Sequence, residues 1–149
     1  MNFSGLPEKN KIFYVYIYLD PRKPGNYEYN NYRFNYEPFY VGKGKNNRYW
    51  SHISEAIKNR KYYNMYLFNK IRKIILEDFE IIIIKLQENL IEYDAFLLES
   101  KIINLIGRRD LKKGVFLIYR MGEKVLKVLI EAVQKTLCLE NIILKKVKN

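Results

Sequence analysis

The chain has 149 residues, 48% of them apolar and 15% aromatic, with 27 Lys and Arg against 16 Asp and Glu for a formal charge of +11. That length supports one cored domain with room for an appendage, and the single cysteine, Cys138, excludes an internal disulfide and any multi-cysteine zinc site. The charge favours an anionic partner such as nucleic acid, although an AT-rich genome, which inflates Lys, Asn, Ile and Tyr, would produce the same excess.

The N-terminus lacks an apolar run, so no signal peptide is expected, and no apolar run approaches the length of a membrane helix. A soluble intracellular protein with no membrane partner is the default expectation, cytoplasmic or nucleoid-associated, or nuclear in a eukaryote. Ile12 to Leu19 alternates Tyr14, Tyr16 and Tyr18 with Val15, Ile17 and Leu19, which predicts a strand with the tyrosines on one face. Asp20-Pro21 is expected to end it, and Pro24-Gly25 to turn the chain. Asn26 to Tyr36 lacks periodicity and reads as an extended hairpin loop. Phe39 to Val41 is a short second strand closed by Gly42 and Gly44, paired antiparallel with the first so that Tyr16 and Tyr40 come near each other.

Asn46 or Asn47 is placed to cap a helix from Arg48 to about Asn59. Further elements are a helix over Tyr62 to Leu76 and a buried strand over Phe79 to Leu86. Asn89 with Glu92 then forms a capping-box-like start for a helix to Ile106, ended by Gly107. Another amphipathic helix is expected over 122–137, with a basic tail beyond it. The order β-β-α-α-β-α-α implies a small sheet flanked by helices.

The chemistry concentrates in residues 39–52. Arg48 and His52 lie one helical turn apart and share a face. Lys43 between two glycines, with Lys45 close by, suits contact with a phosphate, although a solvated turn would look the same; the Walker A spacing is absent. Glu99 falls on an apolar stripe of Ala95, Phe96, Ile102, Ile103 and Ile106. A carboxylate there needs a partner, either a divalent metal or a buried arginine, unless it lies at the stripe's edge and turns outward. Hydrolysis of a phosphodiester needs a base for water, charge at the phosphate and a metal at the leaving oxygen. Tyr16 or Tyr40, Arg48 and Glu99 are candidates for those tasks, provided that a neighbouring Lys43, Arg48 or His52 lowers a phenol's pKa. Packing, capping or surface roles are the plainer alternatives for most of the tyrosines and for His52.

Tyr14-Val15-Tyr16 followed by Tyr40-Val41-Gly42 resembles the GIY-YIG nuclease signature. Lys43 three places after Tyr40, Arg48 and His52 opening the next helix, and Glu99 in Leu97-Leu98-Glu99-Ser100-Lys101 continue the likeness in order, over roughly residues 12–109. The Tyr-Val-Gly-Lys-Gly-Lys variant is similar to the branch with animal ankyrin/LEM-domain nucleases and small bacterial proteins. The resemblance implies an α/β (α+β) fold: a three-stranded antiparallel sheet flanked by helices. It implies a nuclease domain over 1–119, with 120–149 as a basic helical extension packed on it.

By the same resemblance the activity is endonucleolytic hydrolysis of DNA, duplex or branched, by a monomer or homodimer. Tyr16, Tyr40, Arg48, His52 and Glu99 would be catalytic, Lys43, Lys45 and Arg48 would bind phosphate, and Glu99 would hold Mg2+ or Mn2+. There are two departures from the family pattern. Twenty-three residues separate Tyr16 from Tyr40, about twice the usual number, and Ile118 stands where relatives in this branch carry an asparagine that supports the site. The alternatives are a catalytically impaired nucleic-acid-binding module of the same fold, and a protein-interaction domain with a basic tail.

Overall fold

The computed structural model describes residues 11–58, 64–107 and 114. All of them belong to the first of two units into which the chain divides, Met1–Ile118 and Tyr119–Asn149. The expected C-terminal helix over 122–137, the basic extension, Cys138 and Ile118 lie outside the described residues.

Three strands form one sheet in the order β2-β1-β3: β1 over Phe13–Tyr29, β2 over Tyr32–Gly44 and β3 over Ile82–Leu90, with both pairings antiparallel. Helices α1 (Arg48–Ile57), α2 (Met65–Leu76) and α3 (Glu92–Ile106) complete an α+β fold. The period-two alternation of β1 does most of the sorting. Tyr14, Tyr16 and Tyr18 pack with Phe39 against Ile53 and Ala56 of α1 and Leu67, Phe68, Ile71 and Ile74 of α2. Val15, Ile17 and Leu19 pack with Val41 against Ala95, Ile102 and Ile106 of α3. The central strand is thus buried on both faces, and its tyrosine side lies under the helix that carries Arg48 and His52.

Several local expectations are corrected. Asp20-Pro21 does not end the first strand, Pro24-Gly25 does not turn the chain but lies within β1, and Asn26 to Tyr36 is no loop. β1 and β2 continue as a two-stranded ribbon to a turn at Asn30-Asn31, where Asn30 takes a φ of 49°. Register shifts between Tyr18 and Leu19 and on either side of Pro24 absorb the irregularity. Prolines are tolerated there because β3 pairs with β1 only over Phe13 to Leu19, so beyond Leu19 β1 is an edge strand with no second ladder to break.

The third strand begins at Ile82 rather than Phe79 and is partly exposed along most of its length. The N-cap of α3 is Ile91, not Asn89, which sits inside β3 at a φ of 58°. Gly107 does end α3, with a φ of 85°. Of the two predicted helices, α1 is described to Ile57, and α2 starts at Met65 with the Asn64 side chain accepting from the Leu67 N–H; Asn59 and Tyr62 lie outside the described residues.

Candidate active site

Antiparallel pairing sets Tyr16 opposite Gly42 and Tyr18 opposite Tyr40. The Tyr16 and Tyr40 rings stand 6.1 Å apart, and the Tyr40 hydroxyl is 2.9 Å from Nε2 of His52. Gly42 and Gly44 are strand residues rather than a closing turn. Glycine inside a strand often marks a close approach. A Cβ on Gly42 would meet the Tyr16 hydroxyl at 2.8 Å, and one on Gly44 would meet Cβ of Arg48 at 2.7 Å. Their missing side chains let Tyr16 and the start of α1 close onto β2, and the glycine-within-strand pattern was the available signal.

The start of α1 is held from β1 rather than by the asparagine cap that local sequence suggested. Asn47 is the N-cap residue, but its side chain makes no capping bond. Instead Tyr14 donates to the Asn46 carbonyl at 2.7 Å and accepts from the Tyr49 N–H at 3.2 Å, while Tyr18 donates to the Tyr49 carbonyl. These two tyrosines look like mere packing residues in sequence, yet the Tyr14 hydroxyl supplies an acceptor that the first turn of a helix requires, and Tyr18 adds a second tie to the same turn. Arg48 is thereby fixed at the first position of α1, with His52 one turn on and Glu55 a further three residues along.

Lys43 is not on a flexible loop. It is a residue of the edge strand β2, and its N–H donates to Oε1 of Glu99 on α3 at 3.0 Å. Its ammonium reaches Glu92 at 2.8 Å, so Lys43 ties α3 to the sheet twice. Glu99 therefore gains a backbone partner in place of the arginine that sequence also allowed. Among the described residues no lysine or arginine pairs with its carboxylate. Burial pushes the Glu99 carboxyl up to about 7, against the smaller opposing pull of the Lys43 N–H and ammonium.

A carboxylate this short of positive charge fits a divalent cation. Among the described residues no three His, Cys, Asp or Glu side chains converge as a metal cage, so Glu99 would be the protein's ligand there. Mg2+ suits such a site, since it is commonly held by one or two carboxylates together with water and substrate phosphate.

The ionisable groups are set differently from what a preformed phenolate needs. Burial raises the Tyr16 pKa well above that of an ordinary phenol, and the neighbouring Tyr40 hydroxyl and the Arg48 charge offset this only in part. Tyr40 is raised too, by burial and then by Tyr16 and Glu99. Both phenols are neutral at pH 7, because desolvation outweighs the cations beside them, so the condition for a lowered phenol pKa is not met. His52 is shifted down, first by burial and next by Arg48, with Glu55 acting in the opposite sense. A neutral imidazole hydrogen-bonded to a neutral phenol is a proton acceptor in waiting.

Beside these groups runs a groove of about 500 Å³ lined by Phe13, residues 43–48 and Ser51. Lys45 and Arg48 are exposed there and have no acidic partner among the described residues. The ribbon contrasts with it: Arg22 pairs with Asp20 and Glu77, Lys23 with Glu37, and Arg33 with Glu28. The groove thus carries unpaired positive charge that the ribbon lacks.

Tyr16, Tyr40, His52 and Arg48 thus meet on one side of the β2 edge, with Glu99 reaching that edge from α3. The chain matches the LEM-3-like GIY-YIG domain over residues 13–138. The chain belongs to that family. No curated protein and no solved structure matches it. As a GIY-YIG domain it is of a nuclease class, with nucleic acid as the class of substrate and divalent metals in general use. The three-stranded antiparallel sheet and three helices are consistent with that membership. Among the described residues no helix is long and apolar enough to cross a membrane.

Proposed function

We propose that this GIY-YIG domain is a divalent-metal-dependent DNA endonuclease. In this reading Glu99 holds the metal and Tyr16 orients the attacking water. Tyr40 and His52 take up its proton, and Arg48, Lys43 and Lys45 bind phosphates at and beside the scissile bond. The observation that carries the reading is the Lys43 N–H bond to Glu99, which brings an uncompensated carboxylate to the strand that also presents Tyr40 to His52.

The protonation states shape the mechanism. Tyr16 and Tyr40 are neutral, so neither starts as a base. As water attacks phosphorus, its proton passes to the Tyr40 oxygen while the Tyr40 hydroxyl proton moves on to Nε2 of His52, the neutral acceptor. One P–O bond forms and one breaks. The leaving oxygen is protonated from solvent, and His52 returns its proton to solvent afterwards. Arg48, exposed and without an acidic partner among the described residues, supplies fixed charge to the phosphate. A Mg2+ or Mn2+ ion on Glu99 would neutralise the negative charge that develops on the leaving oxygen.

Nicking of supercoiled plasmid in Mg2+ tests the proposal, with Glu99→Ala and Tyr16→Phe beside the wild type. Cleavage by wild type alone, with DNA binding retained by the variants, is the expected result. Wild type that binds DNA yet cuts no better than Glu99→Ala would leave the impaired binding module as the reading. Duplex, flap and four-way-junction substrates in the same assay discriminate among DNA forms, and sedimentation separates monomer from homodimer.

A further inference from the structure

We propose that Glu55 is a positioning residue of this site, whose carboxylate holds the His52 imidazole in its Nδ1–H tautomer so that Nε2 accepts from the Tyr40 hydroxyl. The role assigned to that tautomer rests on the nuclease reading above. The contact itself rests on geometry.

Among the described residues, Nδ1 of His52 is the buried side-chain polar atom without a hydrogen-bond partner. Buried polar groups of this kind call for an explanation. Oε2 of Glu55, three residues further along α1, lies 3.6 Å away, just beyond hydrogen-bonding distance, and its side chain is largely buried. A small rotation of either side chain closes that gap. The groups that face His52 are Arg48 and Glu55 on its own helix, Tyr40 on β2 at 2.9 Å and the Phe68 ring on α2 at 6.3 Å. Glu55 is the carboxylate in that set, and no other ion pair of Glu55 occurs among the described residues.

The consequence is directional. Which imidazole nitrogen carries the proton is set by the bond the other nitrogen makes. With Nδ1–H directed at Glu55, Nε2 is an acceptor, Tyr40 donates to it, and Tyr40's oxygen is left to accept from Tyr16 or from water. The chain then carries protons away from the attacking water. With the opposite tautomer Nε2–H donates to Tyr40, Tyr40 donates to Tyr16, and the chain points the wrong way for accepting a proton. Glu55 also leaves the imidazolium that forms next to a counter-charge.

His52 is the only histidine of the chain, so its ring signals are unambiguous. Long-range 1H–15N spectra of the full chain at pH 8, together with plasmid nicking, test the proposal in wild type, Glu55→Ala and Glu55→Gln. Alanine is a strong helix former, which favours retention of α1. Wild type is expected to show a protonated Nδ1 and an unprotonated Nε2, and Glu55→Ala to reverse them. The same variant should lose on the order of 10–100-fold in kcat with little change in KM. Glu55→Gln, whose amide carbonyl still accepts from Nδ1, should keep the tautomer and recover part of the rate; Glu55→Leu, a good helix former with no acceptor, takes the place of Glu55→Ala if that variant does not fold.

A wild-type ring protonated on Nε2, or a tautomer that loss of the carboxylate in Glu55→Ala or Glu55→Leu leaves unaltered, overturns the proposal. The spectra read the ring whether or not DNA is cut. A wild type that cuts nothing but whose tautomer depends on Glu55 defeats the nuclease reading alone. A wild type that cuts with a tautomer indifferent to Glu55 defeats this proposal alone.

Discussion

The Tyr16 hydroxyl occupies the space in which a side chain on Gly42 would begin: a Cβ there would stand 2.8 Å from it. The two residues face each other across the β1–β2 ladder, and the Tyr16 ring is only 1% exposed, so it has nowhere to retreat. Gly42→Ala is therefore expected to destabilise the domain by about 1–3 kcal/mol, the usual cost of overpacking. It should also lower nicking, because the phenol is displaced. Urea denaturation and the plasmid assay check this; an unchanged midpoint would mean that the ring has room.

Glu99 has a carboxyl held near 7 by burial. A folded-state pKa above the unfolded value of 4.5 favours folding only while the group is protonated, and the benefit fades as pH rises through about 7. Metal-free Glu99→Gln should therefore melt higher than wild type at pH 8 and match it at pH 4. Mg2+ should raise the wild-type melting temperature at pH 8 and leave that of Glu99→Gln unmoved, and the variant should not nick DNA. Equal Mg2+ stabilisation of both proteins would remove Glu99 as the ligand.

Asp20 sits fully buried at the base of the ribbon, 2.8 Å from Arg22 and 3.3 Å from Lys70. Burial alone would raise its pKa, but Arg22 and Lys70 outweigh it and hold the carboxyl at about 2 against an ordinary 3.8. The sign is opposite to that of Glu99. Its contribution is complete above pH 3.8 and is lost as pH falls through about 2. Asp20→Asn should cost about 3 kcal/mol at pH 7, the low end for a broken buried pair, because Glu77 and Glu37 still engage the two cations. It should also flatten the acid limb of the stability curve, which thermal melts between pH 2 and 7 would record.

Binding to DNA should depend on the groove and not on the ribbon. Arg48→Ala and Lys45→Ala are each expected to lower the slope of log K against log salt by about one unit. Arg33→Ala, which removes a cation already paired with Glu28, should leave the slope unchanged. Fluorescence anisotropy over a salt series gives these slopes, and a fall for Arg33→Ala would bring the ribbon into the interface.

Elements with local causes were legible in the sequence. Alternating Tyr and Val/Ile/Leu announced β1, the helix expected to reach Leu76 ends there as α2, and Gly107 closed α3 where expected. Errors arose where a local signal met a distant partner. Asp20-Pro21 looks like a stop, yet Asp20 is neutralised by Arg22 and Lys70, and the ladder that the prolines would break is absent past Leu19. Asn47 looks like a cap, yet hydroxyls from Tyr14 and Tyr18, more than thirty positions away, hold that turn. Phe79 looks like the start of a strand, but β3 begins at Ile82, where its pairing with Leu19 begins.

The candidate site divides in the same way. By itself, the sequence determined which groups are available: the tyrosine face of β1, Tyr40 and Lys43 on the next strand, Arg48 and His52 a turn apart, and a carboxylate stranded on an apolar helix stripe. These follow from periods of two and about four residues, which short-range geometry dictates. Only the tertiary structure decided how those groups are joined and charged. Glu99 meets the Lys43 N–H because β2 is an edge strand with a free donor, and Gly42 admits Tyr16 because register sets them opposite one another. The phenols are neutral because burial, a property of the whole fold, outweighs the nearby cations that a lowered phenol pKa would have needed.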